Sequence, residues 1–397
     1  MLGFVTGGST PAALLADYLV STYDQNVQVH LPQSISTVVE RQTIHMLCEL
    51  LDLQGFKGTF TTGATAGNII GLATGREKTI LTVSGERVSQ IGGGDVDVTV
   101  LCAGGHSSIS KACSILGIGR RNCVDLTAEE EPASFDIQRL RVYLEDNEQN
   151  QRGSIIVATF GEVNTGAFPS DMQLLSGLRD EFENTWLHVD AAFGVLARIH
   201  PLYSALARGL ELADSISFDG HKFFNVPYDC GVFLTRDMAT VKHVCGNTNA
   251  AYLLSAGDEE PSPLDISLEN SRRFRALPLY ASLLSLGREG YVDIVMRCCA
   301  LAEAIGKKIE KSPKFRLLWR VEFNVVLFQA RGYESLESNI RLRDSINATG
   351  KIYLSSTIWN DEPGLRIAIC NHLTTSKSDA EARFIVSLLE QQASNAI

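Results

Sequence analysis

The stretch WLHVDAAFG…ADSISFDGHKFFNVPYDCGVFL, residues 186–234, holds the residue types from which amine chemistry is built. A run with strand character ends in Asp190, and 32 residues later Lys222 follows His221 just past another such run. In an α/β sheet, strand ends of this sort point into the ligand crevice, so both side chains can converge there. A lysine flanked by Phe223 and Phe224 is placed to have its pKa lowered and to form a Schiff base. An acid set against a pyridine nitrogen keeps that nitrogen protonated and lets the ring act as an electron sink. Upstream, TFTTGATAGNIIGLATGRE (59–77) reads as a strand, a small-residue turn and a helix. There Gly63, Ala64, Thr65 and Ala66 would present backbone N–H groups and the Thr65 hydroxyl at a helix N-terminus, a phosphate site. In CAGGHSSISKACSILGIG (102–119), His106 follows a strand and opens a helix, which brings its ring to the same sheet edge. Taken alone, Asp190 is more readily a turn or cap residue, and His106 a capping or packed histidine.

The elements that must position these groups alternate along the chain. Short apolar, β-branched runs lie at Thr79–Val83, Val98–Cys102, Ile155–Thr159, Trp186–Val189, Ser215–Phe218 and Gly231–Leu234. Helical patterns separate them, such as Ile35–Leu53, where Ile35, Val38, Val39 and Ile44 recur at helical spacing. The alternation predicts an α/β fold with a mostly parallel sheet flanked by helices on both faces. Ser255–Asp265 is acidic and carries Pro, Gly and Ser, which reads as an exposed, mobile loop. Beyond Gly290 a helical region reaches Lys311–Lys314, and strand-like runs follow at Leu317–Val321, Val325–Gln329 and Leu365–Ile369. The expected division is an N-terminal segment (1–50), a large domain (51–295) and a small C-terminal α+β domain (296–397).

The 397 residues include 35 Lys+Arg against 46 Asp+Glu, a net charge of −11, with 45% apolar residues. That is a globular mixture, long enough to bury a core without disulfide staples. The acidic balance argues against a nucleic-acid or anionic-membrane partner. No apolar run approaches the roughly 18 residues of a transmembrane helix. MLGFVTGGST lacks the basic start and long apolar stretch of a signal peptide, so the expected compartment is the cytoplasm. The nine cysteines (48, 102, 113, 123, 230, 245, 298, 299 and 370) are odd in number and irregular in spacing, as reduced, mostly buried thiols are. No metal is expected, because His188 and Asp190 share a strand face without a third ligand.

In this order and spacing the pieces resemble the group II pyridoxal-phosphate-dependent amino-acid decarboxylases, which include the glutamate, aromatic-amino-acid and diaminobutyrate decarboxylases. The likeness runs from about Gly3 to about Thr374 through GFVTGGSTPAALLADYL, the phosphate turn, AGGHSSISKA, GEVNTGAF, HVDAAFG, SFDGHK and NSRRFRALPLY. It implies a type I aspartate-aminotransferase-like fold, pyridoxal 5'-phosphate as cofactor, and a homodimer with active sites at the subunit interface. Position by position, it implies that Lys222 is the Schiff-base lysine and Asp190 the partner of the pyridinium nitrogen. His106 would stack on the cofactor ring and Ala192 on its other face. Gly63, Ala64, Thr65 and Ala66 would hold the phosphate, with His221 and Ser217 near it. Thr165 falls near the cofactor's 3-hydroxyl, although many members read G-T-T where this chain has Gly161-Glu162-Val163.

Tyr252, followed by the acidic loop, matches the family's catalytic-loop tyrosine, which returns a proton to carbon after carbon dioxide leaves. Related aldehyde synthases commonly carry phenylalanine there, so the tyrosine points to an amine product. Arg272, Arg273 and Arg275 read as interface or structural ion pairs. Phe4, Val5, Asn26 and Gln28 would line the side-chain pocket. The polar Asn26 and Gln28 lean toward a polar or smaller amino acid, and the reading as ordinary loop residues stays open. The implied reaction is decarboxylation of an L-amino acid to its amine and carbon dioxide. Two further readings stand: oxidative deamination, aldehyde synthesis or transamination on the same cofactor; and a catalytically impaired homologue with a structural or regulatory role. The second is kept open because the family's further N-terminal helical arm, which clasps the partner subunit, is not among these residues.

Overall fold

The structure is a computed structural model that describes residues 2–31, 34–92, 97–247 and 261–395. The chain begins with helices α1 (Pro11–Tyr23) and α2 (Ser36–Leu51), strand β1 (Lys57–Thr61), α3 (Ala64–Ser84) and the short α4 (Val88–Ile91). Next come β2 (Val98–Cys102), α5 (Ser107–Ile115), β3 (Cys123–Asp125), β4 (Thr127–Ala128), β5 (Glu131–Phe135) and α6 (Ile137–Gln149). The centre holds β6 (Gly153–Thr159), α7 (Met172–Glu181), β7 (Thr185–Asp190), β8 (Ser215–Asp219), β9 (Gly231–Thr235) and α8 (Met238–Cys245). The last part is α9 (Ala276–Lys311), β10 (Phe315–Leu317), β11 (Val325–Ala330), α10 (Leu336–Ala348), β12 (Ser355–Trp359), β13 (Glu362–Ala368) and α11 (Ser378–Asn395).

Seven strands form one sheet in the order β1-β9-β8-β7-β6-β2-β3. The pairs from β3 through β8 are parallel, and β9 runs antiparallel to both β8 and β1. Strands β6, β7, β8 and β9 are buried at every position, as strands of a sheet covered on both faces must be. A four-stranded antiparallel sheet, β10-β11-β13-β12, follows the long helix α9, whose path turns at Gly287. Phe323 docks this smaller sheet by meeting the rings of Phe168, Tyr203 and Phe223 at 5.5, 5.5 and 5.7 Å.

Three local expectations change. Thr79–Val83, expected as a strand, forms the last turns of α3. A short apolar run fits a buried helix as well as a strand, and here the helix begun at Ala64 continues through it. Of the run at Leu317–Val321 only Leu317 belongs to a strand, β10, which starts earlier at Phe315. Helix α2 turns Ile35 and Val38 outward and buries Glu40, Thr43, Ile44, Leu47 and Leu51 instead. The polar Glu40 can be buried because Arg272 grips it, with Nη1 3.2 Å from Oε2 and Nη2 2.9 Å from Oε1. Arg273 pairs with Asp17 and Arg275 with Asp229, so all three arginines make ion pairs within the chain.

Candidate active site

The C-terminal ends of the parallel strands meet along one edge of the large sheet, the place where open α/β sheets bind ligands. Asp190 is the last residue of β7 and is buried. Its Oδ2 accepts from Asn68 Nδ2 at 2.8 Å, and its Oδ1 accepts from the Ala192 amide at 3.1 Å. Burial pushes its pKa up, while the charge of Lys222 and the Asn68 hydrogen bond pull it down. Lys222 lies in the turn after β8, its Nζ 2.9 Å from Asp219 Oδ2. Gly7 packs on this turn so tightly that a Cβ there would come 1.8 Å from the Lys222 carbonyl oxygen. His106 is the exposed N-cap of α5, and its Nδ1 accepts from the Ser108 amide at 3.2 Å.

Helix α3 starts at the same edge, with Gly63 as its N-cap. Gly231 of β9 faces Gly63 so closely that a Cβ on it would meet the Gly63 Cα at 2.4 Å. The Ala64 amide donates to Asp219 Oδ1 at 2.6 Å. His221 Nε2 lies 3.4 Å from the same oxygen, its Nδ1 accepts from the Cys230 amide at 3.1 Å, and its ring stacks on Tyr228 at 4.2 Å. Burial lowers the His221 pKa, keeping the ring neutral beside Asp219.

The structure therefore gathers Lys222, Asp190, Ala192, His106, His221 and the Gly63–Ala66 turn. Ser217 donates a hydrogen bond from its hydroxyl to Oδ1 of Asn68, the residue that holds Asp190. Thr165 is buried and donates to Glu162 Oε2 at 2.7 Å, a carboxyl whose pKa burial raises. Phe4 is exposed and tilts on Tyr353, Val5 is buried, and Asn26 spends its amide on Gln28 Oε1 at 2.9 Å and its oxygen on the Arg272 amide. Among the described residues, no hydrogen bond or ring contact joins Phe4, Asn26 or Gln28 to Lys222, Asp190 or His106. Tyr252 lies outside the described residues.

Sequence reasoning missed three neighbours: Asn68, Asp219 and Arg366. Arg366 lies on β13 of the smaller sheet, donates to the Val163 carbonyl at 2.9 Å and leaves Nε buried without a partner. Its charge acts on both Glu162 and His106, which places a cation from the second sheet beside the edge. Among the described residues no cluster of ligands could hold a metal ion, and no helix is long and apolar enough to cross a membrane.

The pyridoxal-dependent decarboxylase conserved domain matches residues 2–331. The chain is 27% identical over 383 residues to an L-2,4-diaminobutyrate decarboxylase of Acinetobacter baumannii, covering 91% of this chain and 74% of that one. It is 23% identical to an aromatic-L-amino-acid decarboxylase of Bacillus atrophaeus, covering 99% and 81%. In fold it resembles Catharanthus roseus tryptophan decarboxylase with a TM-score of 0.86 at 22% identity, over 100% of this chain and 84% of that one.

Proposed function

The chain belongs to the pyridoxal-dependent decarboxylase family, pyridoxal-phosphate carboxy-lyases of amino acids, and we propose that it converts one L-amino acid to its amine at the edge carrying Lys222. The observation that carries this reading is the convergence of Lys222, Asp190 and His106 with the N-terminus of α3.

The residues fit the cofactor. The Asp219 carboxylate already sits as a stand-in anion on the first amide of α3. The next two amides, Thr65 and Ala66, have no partner among the described residues. A Cβ on Gly63 would fill this cradle, coming within 3.3 Å of Asp219 and His221. When bound, pyridoxal phosphate supplies an aldehyde that condenses with amines and a ring that takes up electrons from a broken bond. Lys222 would hold the aldehyde, Asp190 the ring nitrogen, and the α3 amides with Thr65 the phosphate. Asn68 and Ala192 each donate to Asp190, which favours its charged form against the burial that raises its pKa. Asp219 takes up the charge on Lys222 Nζ. Arg366 offers a desolvated guanidinium for a substrate carboxylate.

Tyr252 supports amine over aldehyde as product. A homodimer is supported by the apolar outer face of α1, and a cytosolic setting by nine unpaired thiols. The test is a visible spectrum of the purified protein with borohydride reduction, peptide mapping and assays of carbon dioxide, amine and aldehyde. Cofactor trapped on Lys222 with equal yields of carbon dioxide and amine is expected. Cofactor that never attaches to Lys222 would sink the assignment, and aldehyde with oxygen uptake would replace it by the oxidative reading.

A further inference from the structure

Asn68 lies buried in the second turn of α3 and uses every hydrogen-bonding position it has. Its Oδ1 accepts from Ser217 Oγ and faces His188 Nε2 at 3.0 Å. Its two amide hydrogens reach Asp190 Oδ2 at 2.8 Å and Ser108 Oγ at 3.2 Å. A side-chain amide has two donors and two lone pairs, so none is left over.

The directions of these bonds follow from partners that cannot exchange roles. An ionised Asp190 only accepts, so the amide nitrogen faces it and the oxygen faces His188. That oxygen cannot donate, so His188 carries its proton on Nε2, and Nδ1 accepts from Ser215 Oγ at 2.8 Å. Ser215 Oγ accepts in turn from the Trp186 indole N–H, a donor only, at 2.9 Å. Burial pushes the His188 pKa down to about 3, so the ring stays neutral with a single proton to give. On the other branch, the Ser108 amide donates to His106 Nδ1, and Ser108 Oγ lies 2.9 Å from it. With Nδ1 an acceptor, the Ser108 hydroxyl donates a hydrogen bond to it and the neutral His106 ring carries its one proton on Nε2.

We propose that Asn68 is a positioning residue: from one amide it fixes the charge and aim of Asp190 and turns the Ser108 hydroxyl toward His106, fed by the chain Trp186–Ser215–His188. The inference rests on the cofactor reading above. Burial works against a charged Asp190, and a donated hydrogen bond works for it. The other charges facing Asp190 are Lys222 and His106, with Asp219 beyond Lys222 and His188 neutral behind Asn68. Asn68→Leu keeps the volume and removes all four bonds.

The experiment loads the protein with pyridoxal phosphate carrying ¹⁵N in its ring and follows the ring-nitrogen shift against pH. The unaltered holoenzyme is expected to hold that proton throughout its folded range. Asn68→Leu is expected to release it inside that range, and Asp190→Asn to lack it. A leucine-variant curve that overlays the unaltered one would overturn the proposal. A second measurement needs no variant to fold: ¹⁵N-histidine labelling of the unaltered chain, with His188 expected as the Nε2–H tautomer. A proton found on Nδ1 would break the relay. Failure of the unaltered chain to bind the cofactor would refute the cofactor reading instead, and the histidine spectrum would still decide the relay.

Discussion

At the scale of single residues, Asp219 occupies the seat expected for a phosphate. Its carboxylate receives the Ala64 amide and lies 2.9 Å from Lys222 Nζ, so an arriving dianion meets a like charge. Asp219→Asn is therefore expected to tighten cofactor binding about tenfold, the equivalent of ~1.4 kcal/mol. Fluorescence titration with pyridoxal phosphate reads this, and unchanged affinity would show that the phosphate sits elsewhere. Asp190→Asn is expected to lower kcat by about 10²-fold or more while the cofactor still attaches to Lys222. Near-normal turnover by that variant would take Asp190 out of the chemistry. Lys222, Asp190 and His106 were legible in the sequence because each ends or follows a strand. Asn68 was not, because nothing in its neighbours says which strand its helix will lie against.

At the scale of elements, α3 explains how a helix residue reaches a strand end. Gly67, Gly71 and Gly75 recur every four residues and so share one face. A Cβ on them would meet Ser217 at 2.8 Å, the His188 ring at 2.5 Å and the Trp186 ring at 2.8 Å. The bare face lets α3 settle onto β7 and β8 closely enough for Asn68 to touch Asp190. Gly71→Ala forces a rigid buried ring or the helix itself to move. A loss of about 1–3 kcal/mol is expected, with weakened cofactor retention, read by urea unfolding and by the visible band after dialysis. A variant as stable and as well loaded as the parent would show that the close approach is unnecessary. This spacing stood in the sequence as AGNIIGLATG, yet a helical glycine stripe reads equally as poor helix propensity until its partner surface is known. The Glu40–Arg272 pair is similar: its positions lie 232 residues apart, and only the packed chain brings them together.

At the scale of the whole molecule, the outer face of α1 is apolar and open. Leu15, Tyr18, Leu19 and Tyr23 are 60, 63, 51 and 69% exposed, while Ala13, Ala16 and Val20 face inward. We propose that this face meets a second copy of the chain, as exposed apolar patches often do. Leu15→Asp with Tyr18→Asp is expected to convert a dimer to a monomer in analytical ultracentrifugation; an unmoved sedimentation coefficient would place the contact elsewhere. Stability should also depend on pH through His188. Its folded pKa of about 3 lies below the ordinary 6.5, so as pH falls through that window the unfolded chain takes up a proton that the folded chain refuses. Stability then falls by up to about 1.4 kcal/mol per pH unit. His188→Gln should flatten the slope of urea midpoint against pH between 6 and 4, and an unchanged slope would mean that His188 titrates freely.

The sequence by itself determined the alternation of strands and helices, the strand-end positions of Lys222 and Asp190, and the glycine turn before α3. Those are local facts, set by spacing and side-chain type within a few residues. Only the tertiary structure decided that Thr79–Val83 stays helical, that Glu40 is buried against Arg272, and that Arg366 reaches the edge from the second sheet. It also decided that Asn68 reaches both His188 and Asp190, 120 and 122 residues further along the chain. Such pairings depend on how closely and at what angle two distant surfaces pack, and no window of sequence holds both surfaces at once.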